Sequence, residues 1–117
     1  MGSARQGADL WWAQRVSAVA LAVLGLWLAI ALFSLPALDY ATVRAWMGRG
    51  WHAAGLSALI LAAAQHNYLG LRVVSEDYVH NVNARIAILL LLRFALTLLA
   101  AAGVFAVLEG AFGRVPV

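Results

Sequence analysis

Hydropathy divides the chain into three long apolar stretches separated by two short polar breaks. The first covers residues 16–36 and stops at Pro36, the second covers 51–74 and the third 84–108. Each is close to the ~20 residues that an α-helix, rising ~1.5 Å per residue, needs to cross ~30 Å of hydrocarbon. The pattern predicts an all-α integral membrane protein with three transmembrane helices. Trp11, Trp12, Tyr40, Trp46, Trp51 and Tyr78 fall near the predicted boundaries, where aromatic rings collect between water and lipid. Trp27 falls mid-span and is predicted to pack against a neighbouring helix.

The two breaks have different characters. Residues 39–50 can hold a short interfacial helix, with Asp39 as its N-cap and Gly48 or Gly50 ending it. Residues 75–83 form a tight connection, with Asn81 or Asn83 as the cap of the third long helix. Gly25, Gly55, Gly70, Gly103 and the alanines around them allow helices to approach closely. No internal repeat or long linker appears, so residues 1–117 read as one domain.

Composition agrees with this pattern. The chain is 65% hydrophobic and 11% charged, more apolar than an ordinary soluble domain. The net charge is only +3, and the basic residues are all arginines, most of them at or beyond the ends of the apolar runs. That distribution argues against nucleic acid as a partner. With no cysteine, disulfides, thiolate zinc sites and cysteine-ligated iron–sulfur clusters are excluded, so histidine would have to hold any redox cofactor.

The first apolar run is too long for the core of a secretory signal and no small-residue cleavage site follows it, so it reads as a retained span. No mitochondrial presequence is evident. This favours a bacterial chain, although a processed mitochondrial one would look the same. Arg5, Arg15, Arg72 and Arg85 fall on one side of the predicted membrane and Arg44, Arg49 and Arg114 on the other, which weakly favours a cytoplasmic amino terminus. Arg93 lies inside the third span and there must snorkel, pair with an acid or meet an anionic cofactor group. Three apolar helices with polar groups at depth predict packing against further helices from another chain.

The chemistry concentrates at the end of the second span. His66 sits about 12–16 Å below the Asp77 end, counted along a helix axis. A neutral imidazole ligates haem iron well, and ionisable groups at bilayer depth are generally functional; the bland alternative is a histidine hydrogen-bonded to a neighbouring helix. Gly70 lies one turn on, where a flat macrocycle could approach. Asp77 is eleven residues on, about 20° around the helix from His66 and so on the same face. Beside it, the Tyr78 phenol could donate to a carbonyl, with the neighbouring carboxylate orienting it. Such a pair at a membrane surface suits a quinone, or is an ordinary boundary tyrosine with a solvated aspartate.

The other polar residues are more ambiguous. His52, fourteen residues before His66 and about 21 Å away, could ligate a second haem or serve simply as an interfacial histidine. His80 reads as a loop residue, and Arg15, Ser17 and Arg85 open spans. Either arginine could anchor a span or meet a carboxylate or haem propionate.

The run His66-x3-Gly70-x6-Asp77-Tyr78-Val79, with Val73 and Val74 before it and His80 after, resembles the small cytochrome b anchor subunit of succinate dehydrogenase. Gln14-Arg15-x-Ser17-Ala18 resembles the opening of that family's first helix, and the likeness covers roughly residues 15–108. The resemblance implies a helical bundle completed by a second cytochrome b anchor subunit. The bundle would hold a flavoprotein subunit and an iron–sulfur subunit at the cytoplasmic face of a bacterial inner membrane, or at the matrix face of a mitochondrial one. It further implies His66 as one axial ligand of haem b, with the partner subunit supplying the other. Tyr78 would contact ubiquinone beside Asp77, and Arg15 would lie near the haem propionates. The amino terminus would then be cytoplasmic. Arg93 has no place in the pattern. A fumarate reductase or two-haem anchor, and a haem-free three-helix scaffold or assembly protein, remain as alternatives.

Overall fold

The computed structural model describes residues 2–113, with side chains from residue 7 onward, so Arg114 and the Arg5 side chain lie outside the described residues. Four helices follow in order: α1 (Gly2–Phe33), α2 (Tyr40–Met47), α3 (His52–Tyr78) and α4 (Val82–Phe112). Among the described residues there is no strand. The long helices run antiparallel in sequence order. α3 lies in the middle, packed against α1 on one side and α4 on the other, and among the described residues the backbones of α1 and α4 do not come close. The result is an elongated slab of 55 × 28 × 21 Å, capped at one end by α2 against α4 and α3.

The ends of the helices follow local chemistry. α1 stops ahead of Pro36, which disfavours helical geometry in the residue before it, and Ser34 closes the last turn by donating from Oγ to the Ile30 carbonyl at 2.7 Å. α2 is the predicted interfacial helix. Asp39 accepts from the Thr42 backbone N–H at 2.8 Å, and its hydrogen bonds with Thr42 hold its carboxyl below the usual value. Gly48 is its C-cap, and Gly50 takes the left-handed conformation, φ 56°, that glycine adopts without steric cost. Asn81, not Asn83, caps α4, accepting from Ala84 N–H at 3.0 Å.

The second connection departs from expectation. Residues 75–78, expected in a loop, are the last turn of α3, and only residues 79–81 link α3 to α4. Nothing in Ser75-Glu76-Asp77-Tyr78 breaks a helix, and Glu76 accepts from Arg72 one turn back at 2.9 Å. The polarity that suggested a loop marks a change of solvent, not an end of hydrogen-bonded backbone. α4 and α1 likewise extend beyond their apolar spans.

Few side chains are buried within the chain: Trp46, Ala53, Leu69, Ala100 and Val107, with the polar Ser17 and Ser75. Large apolar groups such as Leu26, Phe94, Leu99 and Phe105 lie more than 60% exposed. A soluble chain does not leave so much apolar surface uncovered. Two helical segments, Gly7–Phe33 and Val82–Phe112, are long and apolar enough to cross a membrane, and almost none of either is buried inside the chain. They coincide with the first and third predicted spans. α3 is as long, with 27 residues, but Gln65, His66, Asn67 and Arg72 make it the more polar helix.

One contact fixes α1 on α3. Trp27, the mid-span tryptophan, lies over Gly55, where an added Cβ would stand 2.6 Å from its ring. The same indole lies 5.8 Å from the Trp46 ring and 6.2 Å from His52, centroid to centroid, which limits how far it can retreat. Gly55→Ala should therefore separate the two helices at a cost of about 1–3 kcal/mol. The measurement is the unfolding temperature of the detergent-purified assembly, which should fall; an unchanged value would show that the indole swings aside freely.

Candidate functional site

The middle of α3 faces both neighbours. On the α1 side, Ser17 Oγ lies 3.0 Å from His66 Nδ1 and the same distance from the carbonyl of Gln14, to which it donates. Ser17 is only 6% exposed, and the contact joins residues 49 positions apart. The ring of His66 is half-buried, so it is held by a hydrogen bond between helices at the level where α1 and α3 pack.

Gly70 follows one turn later, and a Cβ built there meets no atom within 4 Å. That face is open on this chain, with room for a flat group beside His66. Among the described residues no three His, Asp or Glu side chains gather as a bare metal site. A single imidazole is instead the donor set of an axial haem ligand, since the macrocycle supplies the equatorial nitrogens. These residues fit a haem on the donor set that His66 offers.

Asp77 and Tyr78 close α3, and both are exposed, Tyr78 at 79%. They are consecutive helical positions, which point about 100° apart and do not face each other. Among the described residues, neither side chain makes a hydrogen bond to the other or to any third residue. The expected orienting of the phenol by the carboxylate is therefore absent, and the phenol is free to meet a group beyond this chain.

The remaining candidates separate into distinct places. His52 Nδ1 lies 2.6 Å from the Trp46 carbonyl, and its ring stacks on the Trp46 indole with centroids 4.4 Å apart and planes at 16°. Since a carbonyl can only accept, Nδ1 is the donor, and the ring ties α2 to the start of α3. His52 thus has a local structural role. Arg15 is exposed and stands over the Trp11 ring at 5.2 Å. Two positions from Ser17, it lies about 200° around α1, so the structure brings Ser17 and not Arg15 to His66. His80 is exposed in the three-residue link, and Arg85 is half-buried in the first turn of α4.

Arg93 places its guanidinium over the Tyr68 ring, 4.8 Å from the centroid, an arrangement that stabilises a cation where water is scarce. Tyr68 lies about 200° around α3 from His66, so Arg93 and His66 stand on opposite sides of the helix. Both belong to different seams: Arg93 and Tyr68 line a groove of about 390 Å³ between α3 and α4. Sequence reasoning missed Tyr68 because an aromatic residue among leucines and alanines reads as ordinary packing. A cavity of about 520 Å³ lies between α2 and α4, lined by Val43, Arg44 and Glu109 among others, at the end of the slab remote from Tyr78.

The sequence model of the succinate dehydrogenase/fumarate reductase transmembrane subunit matches residues 1–100. The succinate dehydrogenase hydrophobic membrane anchor subunit of Paracoccus denitrificans is 30% identical over 117 residues, covering 100% of this chain and 90% of its own. Its counterpart in Rickettsia conorii is 28% identical over 102 residues, covering 85% of this chain and 81% of its own. That of Rickettsia typhi is 30% identical over 100 residues, covering 84% and 80%. No solved structure matches the chain.

Proposed function

The chain belongs to the succinate dehydrogenase/fumarate reductase transmembrane subunit family, and on that premise we propose that it is the hydrophobic anchor subunit of a succinate dehydrogenase. In this reading α1, α3 and α4 all cross a bacterial inner membrane, with the amino terminus and the Asp77–Tyr78 end of α3 on the cytoplasmic side. The polarity of α3 suits its central place, since the two apolar helices screen it from lipid. The antiparallel order sets Arg15, Arg72 and Arg85 at one end of the slab and Arg44 and Arg49 at the other, a small excess of positive charge on the side read as cytoplasmic.

A second cytochrome b anchor subunit completes the bundle against the open Gly70 side, and the flavoprotein and iron–sulfur subunits dock at the Tyr78 end. Succinate oxidation belongs to those partners. His66 would be the residue by which this chain holds a haem b, and the second anchor subunit would supply a further ligand. Haem b, when bound, provides a centre that takes up and returns one electron at a time. For Arg15 to meet a haem propionate, its guanidinium must leave the Trp11 ring and come around α1.

Tyr78 donates its phenolic hydrogen bond to a carbonyl of ubiquinone, and Asp77 keeps an acidic group at the water boundary. Reducing a quinone to its quinol takes two electrons and two protons, so a site at the membrane surface gives the protons a short path. Quinone enters from lipid, which the exposure of Tyr78 permits.

The observation that carries this reading is the single stripe of α3 that holds His66, open Gly70 and Asp77, with Tyr78 beside it at the exposed end of the helix. The test is to purify the complex through this chain. The expected result is co-purification of a flavoprotein and an iron–sulfur protein, with one b-type haem per complex in the reduced-minus-oxidised spectrum. A complex that contains both partners but no b-type band would leave the chain an anchor without the haem role. Two haems per complex would point to His52 as a ligand as well.

A further inference from the structure

Resting on the haem reading above, we infer that Ser17 is the positioning residue that fixes the tautomer of the neutral His66 ring and so selects the ring nitrogen that meets iron. A serine hydroxyl carries one hydrogen and two lone pairs. Ser17 Oγ has two close polar neighbours, the Gln14 carbonyl and His66 Nδ1, each at 3.0 Å. The carbonyl has no hydrogen to give, so the serine hydrogen goes there. The contact with Nδ1 is then favourable only if the ring nitrogen donates and the serine oxygen accepts. The reverse assignment, with serine donating to Nδ1, would leave two acceptor oxygens facing each other at 3.0 Å inside the α1–α3 seam. Burial at 6% exposure denies Ser17 the water that would relieve that conflict.

This arrangement places the hydrogen on Nδ1 and leaves Nε2 with its lone pair, the form in which an imidazole ligates iron. It also fixes the ring about its own axis, because Nδ1 must keep pointing at α1. The open face at Gly70 lies one turn along the same stripe. α1 therefore does more than cross the membrane: its Gln14–Ser17 turn orients the ligand presented by α3. An acceptor on Nδ1–H also gives the imidazole a share of imidazolate character, which favours ferric over ferrous iron.

The test compares Ser17→Thr with Ser17→Val in the whole complex, two replacements of nearly the same volume that differ in the hydroxyl. Two readouts are needed that packing alone would not separate: the haem midpoint potential, and the low-spin ferric resonance, which depends on the orientation of the axial imidazoles. The threonine variant should keep both close to wild type. The valine variant should raise the potential, move the resonance and release haem more readily in detergent. Equal behaviour of the two variants, whether both normal or both altered, would overturn the inference. A wild-type complex with no b-type signal would instead sink the haem reading itself.

Discussion

In the assembled complex, His66→Ala should reduce the b-type absorption band to background while leaving succinate oxidation by a soluble electron acceptor intact. The reason lies in what surrounds the ring. Its sequence neighbours Gln65 and Asn67 carry amides, which are poor ligands for haem iron, and the Asn67 amide is already committed to the Ala63 carbonyl at 2.8 Å. His52 cannot replace it, being about 21 Å away along α3 and bound to the Trp46 carbonyl. The lost ligand also weakens the assembly, because a group bound only by the folded state stabilises it by mass action. The melting temperature of the membrane domain should fall with the band. Alanine leaves a hole the size of the lost ring, and adding imidazole should restore part of the band. A variant with an undiminished band would show that His66 is not the ligand.

Part of this site could be read from the sequence and part could not. The His66–Gly70–Asp77 stripe was legible because helical periodicity is reliable inside a long uninterrupted helix, and the structure keeps α3 continuous from His52 to Tyr78. The placement of Asp77 and Tyr78 in a loop failed because hydropathy reports the surrounding solvent, and a helix can leave the membrane without ending. The cap at Asp39 was legible from residue type alone, since the bond to Thr42 spans three residues. The contact between Ser17 and His66 was not, because it spans 49 residues and depends on the rotation of α1 against α3. The central place of α3 was equally hidden. In hydrocarbon, positions facing lipid and positions facing a helix are both apolar, so the pattern does not say which helix has two neighbours. Trp27 shows the intermediate case. Its packing on a helix was predicted, but its partner, the bare backbone at Gly55, emerged only in three dimensions.

Tyr78→Phe should separate the two halves of the reaction. The phenyl ring keeps the shape of the side chain, and the Tyr78 hydroxyl has no hydrogen-bond partner among the described residues and is 79% exposed, so the fold loses nothing by the change. What is lost is one donor to a quinone oxygen that gains negative charge as electrons arrive. Hydrogen bonds to charged groups contribute about 1.5–3 kcal/mol, which corresponds to roughly a 10- to 100-fold loss of quinone reduction at about 1.4 kcal/mol per decade. Succinate oxidation by a soluble acceptor should be unchanged, because that reaction takes its electrons before they reach α3. The b-type spectrum should also persist, since His66 lies twelve residues away. Equal losses in the two assays would move the effect to assembly with the partner subunits, and no loss in either would remove Tyr78 from the quinone site.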